Sequence, residues 1–383
     1  MPLPFTPRVL GACLLLLCAG ICAGADEAIE KGQGGVVVTA EETKPAASPW
    51  TVLERSGRDY LNADDISKFY LLPHVETGDA KLLRMEDGVK SLQFQRGSRQ
   101  VQVNGVAHWL SFPTLVEGEN WLVSRLDLVK TIEPAMRPEF IANLEPVEVV
   151  VLDPGHGGHD KGAASKYGTE KEFTLDVALK VRDILRQRGV VVIMTRNDDT
   201  FISLEERAAI ANRARHAILV SIHFNDSDFG SEANGFEVFS LAPQGGPGTM
   251  DASVMPSHLQ AYTGNAVDTC SLALANSVHH SILAHMERAD RGVKRQRFAV
   301  LKLTKWPSVL VECGFLNGRE ESKVVGTEKW RQRLAYAIAE GIVEYRHMSL
   351  TRKPPKSLAD YLGRTRSNAR AEVEEGPRVL VPR

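Results

Sequence analysis

Four polar residues sit where apolar runs end or a helix begins, and their types suit metal-assisted hydrolysis. His156 lies in VVVLDPGHGG (149–158), where a buried strand breaks into a glycine-rich loop. Glu170 opens an amphipathic stretch, His223 closes the apolar run AILVSIH, and Glu312 falls in VLVECGF. Two imidazoles and one carboxylate from separate element ends match the ligand set of a catalytic zinc site, which keeps one position for water. Glu312 is then the candidate carboxylate for proton transfer.

Each of these residues has a plainer reading. An acid at a helix start is stabilised by the helix dipole, so Glu170 is equally a capping residue, and Glu172 competes with it. His223 could be a paired core histidine, since polar side chains in apolar strands must find partners. His159 lies close enough to be mistaken for His156. The preference for His156 rests on Asp153-Pro154, which can fix its approach, with Asp153 expected to orient the ring from behind. The nearby glycines let backbone approach a metal or substrate, and neither G-x-G-x-x-G nor G-K-[ST] is present to suggest a phosphate cradle.

The elements that must position these groups alternate from residue 146 onward. VEVVVLD is a nearly continuous apolar run, as in a strand buried on both faces. Residues 170–188 carry Leu175, Leu179, Val181 and Leu185 at helical spacing, and Ser203 with Glu206 reads as a capping box. VVVIMTR, AILVSIHF, GFEVFS, AVLKL and VLVECGF are expected strands, with helices near 271–288 and 328–347. This pattern implies an α/β fold with a central, largely parallel mixed sheet flanked by helices, and ligands gather at the carboxyl ends of such strands. Before it lies a small β-rich α+β unit at 49–140, with a helix opening at Asp64 and a hairpin marked by Asn104-Gly105. His74 and His108 in that unit are isolated, so it reads as a spacer or binding module.

The chain has 383 residues, enough for two folded units with extra ends, and Lys plus Arg number 46 against 48 acids. That balance argues against a general nucleic-acid binder, whose affinity would need a dominant basic face. Residues 1–25 show the basic, apolar and A-x-A layout of a secretory signal, with cleavage expected after Ala25. The apolar run is shorter than the roughly 20 residues a membrane span needs. The mature chain is thus expected to be exported, periplasmic or wall-associated, without a membrane span. Removing that segment leaves Cys270 and Cys313, which form no disulfide framework. Cys313 is expected buried and Cys270 on or near a loop. Residues 26–48 read as a linker, and the Lys/Arg-rich stretch 348–383 as a disordered tail.

Seven ordered blocks carry a family resemblance: DPGHGG, EK followed by LDVALKV, TRNDDTFISLEERAAIAN, SIHFN, NGFEVF, RGVKRQRFAVL and PSVLVECGFLN. Together, over 147–345, they resemble the zinc-dependent N-acetylmuramoyl-L-alanine amidases. The resemblance implies zinc ligands at His156, Glu170 and His223 and a catalytic glutamate at Glu312. It also implies hydrolysis of the amide between N-acetylmuramic acid and L-alanine in peptidoglycan, with zinc supplying an acidified water. Asp153, Asn225 and Arg291 fall in the matching blocks as candidates to contact substrate or brace the site, while Arg207 is assigned to packing. By its strand, Asn104-Gly105 turn, apolar strand and late WLVSRLDLV segment, the first unit resembles the small domain named for the N-terminal region of copper amine oxidases. Two rivals are a wall-binding protein that keeps the fold without cutting and a zinc peptidase acting on free peptides. Whether a partner protein activates the enzyme is open. The departure from the family pattern of most regulatory interest is the segment 241–270, where some members carry an inhibitory helix; here it is expected to form a mobile flap beside the cleft.

Overall fold

The computed structural model describes residues 50–228 and 231–352. The expected secretory segment, the linker and all but the first residues of the expected tail lie outside the described residues. Among the described residues no helix is long and apolar enough to cross a membrane.

The alternating segments become β10 (Val149–Pro154), α4 (Glu170–Gln187), β13 (Val191–Met194), α5 (Leu204–Arg213), β14 (Ala217–Asn225), β15 (Phe236–Leu241), α6 (Asp268–His285), β16 (Asp290–Gln296), α7 (Ala299–Leu303), β17 (Ser308–Phe315), α8 (Glu321–Val325) and α9 (Glu328–Thr351). Before them run β1 (Val52–Arg55), β2 (Arg58–Asn62), α1 (Ala63–Tyr70), β3 (His74–Val75), β4 (Leu82–Glu86), β5 (Ser91–Gln95), β6 (Gln100–Val103), β7 (Val106–Trp109), β8 (Leu115–Glu117), β9 (Asn120–Ser124), α2 (Arg125–Asp127) and α3 (Glu133–Met136). A short ribbon, β11 (Ala164–Ser165) with β12 (Gly168–Thr169), leads into α4.

Strands β13, β10, β14 and β17 are parallel neighbours in that order. β15 then pairs antiparallel with β17 and parallel with β16. The strand period sorts side chains between two faces. Val150, Leu152, Ile218, Val220, Ile222, Val309 and Val311 face a core shared with α4, α6 and α9. Val151, Leu219 and Leu310 face a second core with α5 and α7. Each fully buried aliphatic side chain contributes about 1.5–3 kcal/mol, which fixes the register because a one-residue slip would exchange the faces.

Two sequence expectations are corrected here. AVLKL is the helix α7, not a strand: Val300 and Leu301, adjacent in sequence, are both buried on the same side, which a strand cannot do. The missing strand is the charged run DRGVKRQ of β16, in which Lys294 meets Glu237 and the fully buried Arg295 donates to Leu241 O. α9 also continues beyond His347 to Thr351.

The first unit holds a separate four-stranded sheet, β1-β2-β9-β8, and a second set of strands that continues the central sheet. β7 pairs with β16 at His108 and Val293, and β7-β6-β5-β4-β3 continue the ladder, giving eleven strands among the described residues. Asn104 and Gly105, at φ 50° and 79°, make the expected turn between β6 and β7. Leu61, Ile66, Phe94 and Ile132 join the same continuous core as Val150 and Ile338. Cys270 and Cys313 are buried free thiols, and Cys270 lies in the first turn of α6.

Candidate metal centre

The carboxyl ends of β10, β14 and β17 form one rim of the sheet. On β14, His223 follows Leu219 and Ser221 at the strand period, so it projects on the α5/α7 face; on β17, Glu312 follows Leu310 to the same face. His223 and Glu312 are direct register partners. His156 sits just past β10 with φ 60°, a left-handed turn that aims its ring back over the rim. Glu170 arrives from the other face at the first turn of α4, and Glu172 settles the competition by accepting from Thr169 N at 2.8 Å as the helix cap.

These ends converge. Glu170 Oε1 lies 3.0 Å from His156 Nε2 and 2.9 Å from His223 Nδ1. The Glu170 carboxylate also accepts from Phe224 N at 3.1 Å and Ala163 N at 2.9 Å. One ligand atom from each of His156, Glu170 and His223 lies within 4.8 Å of the others. Burial alone would raise the pKa of Glu170, but hydrogen bonds with both imidazoles outweigh it and hold the carboxyl far below its ordinary range. Burial likewise pulls His156 down, yet Glu170 and Asp160 together raise it.

The surrounding backbone fits a small occupant held by these three groups. A Cβ on Gly155 would stand 2.3 Å from the His223 ring, and one on Gly162 would stand 2.4 Å from Glu170 Oε2 and 2.6 Å from the His156 ring. Side chains there would push the donors apart. The set of two neutral-capable nitrogens and one anionic oxygen suits zinc chemistry, and Glu312 faces the same cleft. One Glu312 oxygen is buried with no hydrogen-bond partner, while the residue as a whole borders the opening. Burial first, then the charges of Glu170 and Glu237, push its pKa well above the usual carboxylate range, against a smaller opposing effect of Lys294.

The supporting residues differ from the expectation. Asp153 does not orient the His156 ring; Asp160 does, at 2.8 Å from Nδ1. Asp153 is buried beneath the loop, accepting from Thr195 Oγ1 at 2.6 Å, Arg207 at 2.7 Å and Ser221 Oγ at 2.7 Å. Arg207 does more than pack its helix, because it also donates to Pro154 O and His156 O, both at 2.6 Å. Arg196, which sequence reasoning passed over, donates to Pro154 O and Gly155 O and so clamps the loop from the β13 side. Its only sequence signal is an arginine closing an apolar strand. Asn225 and Arg291 both donate to Glu237, at 2.7 and 3.2 Å, and Lys294 pairs with the same carboxylate. They brace β14 against β15 and β16.

The cleft above the centre measures about 640 Å³ and is lined by His156, Glu170, His223 and Glu312 together with Phe201, Leu204 and Phe298. The segment 241–270 is not a flap beside it. Because β15 runs antiparallel to β17, Leu241 emerges at the opposite rim, and the segment is fastened to the first unit. Arg99 donates to Gly248 O at 2.9 Å and Asp251 O at 3.2 Å, and Val254 packs with Tyr60, Phe112 and Leu122.

The family model described as N-acetylmuramoyl-L-alanine amidase matches residues 150–344. The chain is 33% identical over 280 residues to N-acetylmuramoyl-L-alanine amidase AmiA of Escherichia coli K12, covering 67% of this chain and 94% of that protein. It is 34% identical over 244 residues to AmiC of Escherichia coli O6:H1, covering 57% and 58%. A crystal structure of an N-acetylmuramoyl-L-alanine amidase from Clostridium difficile 630 is 32% identical over 52% of this chain and 97% of that one, with a TM-score of 0.44. With half of its length matched by the family model and a relative spanned nearly end to end, the chain belongs to the N-acetylmuramoyl-L-alanine amidase family.

Proposed function

We propose that this chain hydrolyses the amide between the lactyl group of N-acetylmuramic acid and L-alanine, remodelling peptidoglycan, with His156, Glu170 and His223 holding a zinc ion and Glu312 moving the proton. The observation that carries the assignment of roles is the convergence of three ligand atoms within 4.8 Å at the mouth of a cleft that Glu312 also lines. A zinc ion held by these three residues would supply polarisation of the scissile carbonyl and a more acidic water.

The chain's own residues do the rest. Asp160 fixes the His156 ring, and Glu170, anchored by Ala163 N and Phe224 N, supplies the negative charge that holds a cation. Glu312 takes a proton from the attacking water as the C–O bond forms, and delivers it to the nitrogen as the C–N bond breaks. The products are a lactyl carboxylate and the free amine of L-alanine. Burial raises the Glu312 pKa, which favours delivery of the proton to the leaving nitrogen.

The first unit, fused to the sheet through β7 and β16, acts as a fixed arm against the wall, and the chain works outside the cytoplasm after loss of residues 1–25. Purified protein is to be incubated with intact peptidoglycan, with and without a chelator, and the new amino termini identified. L-Alanine termini that appear only with metal are the expected result. Termini of another residue, or cleavage unaffected by chelation, would overturn the reading.

A further inference from the structure

The cleft has an unequal rim. Phe201 is 42% exposed and Leu204 51% exposed, yet both line the cleft beside the metal centre, and Phe201 is braced from outside by the His159 ring at 4.2 Å between centroids. A solitary exposed phenylalanine needs no explanation. This one is held in place from the metal loop itself. Asp199, two residues before it, accepts from Gly158 N at 2.9 Å and from Lys171 Nζ at 2.6 Å, and Lys171 Nζ also donates to Gly158 O at 2.9 Å. Lys171 is the neighbour of Glu170, and Gly158 lies two residues beyond His156. The aromatic face is therefore registered to two of the three ligand groups.

We infer that Phe201 is the subsite for the pyranose ring of the N-acetylmuramoyl group, a specificity-determining residue that deepens, and rests on, the function proposed above. The sugar is joined to the scissile carbonyl only through a lactyl ether, so it must lie against a wall next to the metal. The carbon-bound hydrogens on a pyranose face carry partial positive charge and match the negative face of an aromatic ring. The charged groups beside Phe201 are held by partners: Lys171 by Asp199, Asp160 by His156, and Arg207, which lines the same cleft, by Asp153. With those charges already paired, the exposed aromatic face is left to a neutral sugar.

The test uses the full chain with F201A and F201W and two substrates that differ only in the ring: N-acetylmuramoyl-L-alanyl-D-isoglutamine and lactoyl-L-alanyl-D-isoglutamine. F201A should raise KM for the muramoyl substrate by roughly five- to ten-fold, the scale of one aromatic contact. kcat should hold within about two-fold, F201W should restore KM, and the lactoyl substrate should not distinguish the three proteins. Equal losses on both substrates, or none on either, would overturn the proposal. A second readout needs no turnover: proton NMR of N-acetylmuramic acid titrated with each protein. Upfield ring-current shifts of the axial sugar protons are expected with wild type and F201W and absent with F201A; their absence with wild type would also overturn it. Failure of the reaction itself would show separately, as wild-type protein that releases no L-alanine amine.

Discussion

Two clusters of histidine and carboxylate lie along this one sheet, and they behave in opposite ways. At the carboxyl rim, Glu170 and Glu312 face a cleft with His156 and His223, and one Glu312 oxygen has no partner. At the junction of β7, β16 and α6, Asp290 is satisfied: it accepts from Ala107 N at 3.0 Å, Gly292 N at 2.8 Å and His279 Nε2 at 2.7 Å. His108 and His279 there are fully buried, each with one ring nitrogen lacking a partner. The same residue types make the proposed reactive centre where like charges are forced together beside an opening. They make a structural joint where each charge has donors and the histidines are closed off from solvent.

Substituting residues in each cluster should keep those two behaviours apart. The largest effect belongs to the open one: E312Q should lower kcat by about 10²- to 10⁴-fold while metal content measured by atomic absorption stays at wild-type level. Near-normal turnover would remove Glu312 from proton transfer. In the closed cluster, D290A should destabilise by about 2–4 kcal/mol in urea melts, because three donors lose a charged acceptor, while kcat per folded molecule is unchanged. A drop in kcat without loss of stability would erase the distinction.

The closed cluster should also register pH. Burial pushes the His108 pKa down to about 4, against a weaker opposing hydrogen bond to Val106 O, so the fold prefers the neutral ring. Its contribution is present above the ordinary histidine value and is lost as pH falls through about 6.5 toward 4. H108L should therefore reduce the loss of stability between pH 7 and pH 4 by about 3 kcal/mol, read from urea midpoints at each pH. An unchanged slope would show that the ring is not carried neutral. Smallest of all, D160N should weaken zinc affinity about ten-fold in a chelator competition, by loosening the His156 ring without removing a ligand. Unchanged affinity would return the orienting role to another group.

Some of this was legible in the residues themselves. Strand period and apolar runs placed His156, His223 and Glu312 at strand ends, and the start of an amphipathic helix placed Glu170. Short ambiguous runs were less legible. AVLKL and DRGVKRQ exchanged roles because a five-residue apolar run carries no period, and because a strand whose charges are paired, Lys294 with Glu237, looks like a loop in sequence. Asp153 and Asp160 were equally available to His156 in sequence. The left-handed turn at His156 aims the ring at Asp160 and leaves Asp153 beneath, with Arg207.

What the sequence alone determined is local: the identities of the donor atoms, the strand ends that carry them and the glycines that leave them room. The tertiary structure decided which of those ends meet, that Glu172 caps while Glu170 turns inward, and that the segment 241–270 leaves from the far rim. It also decided that the first unit extends the catalytic sheet. The physical reason is that face and rim follow from strand direction and pairing, which are settled by burial across the whole sheet, and no window of sequence contains both partners of a pair.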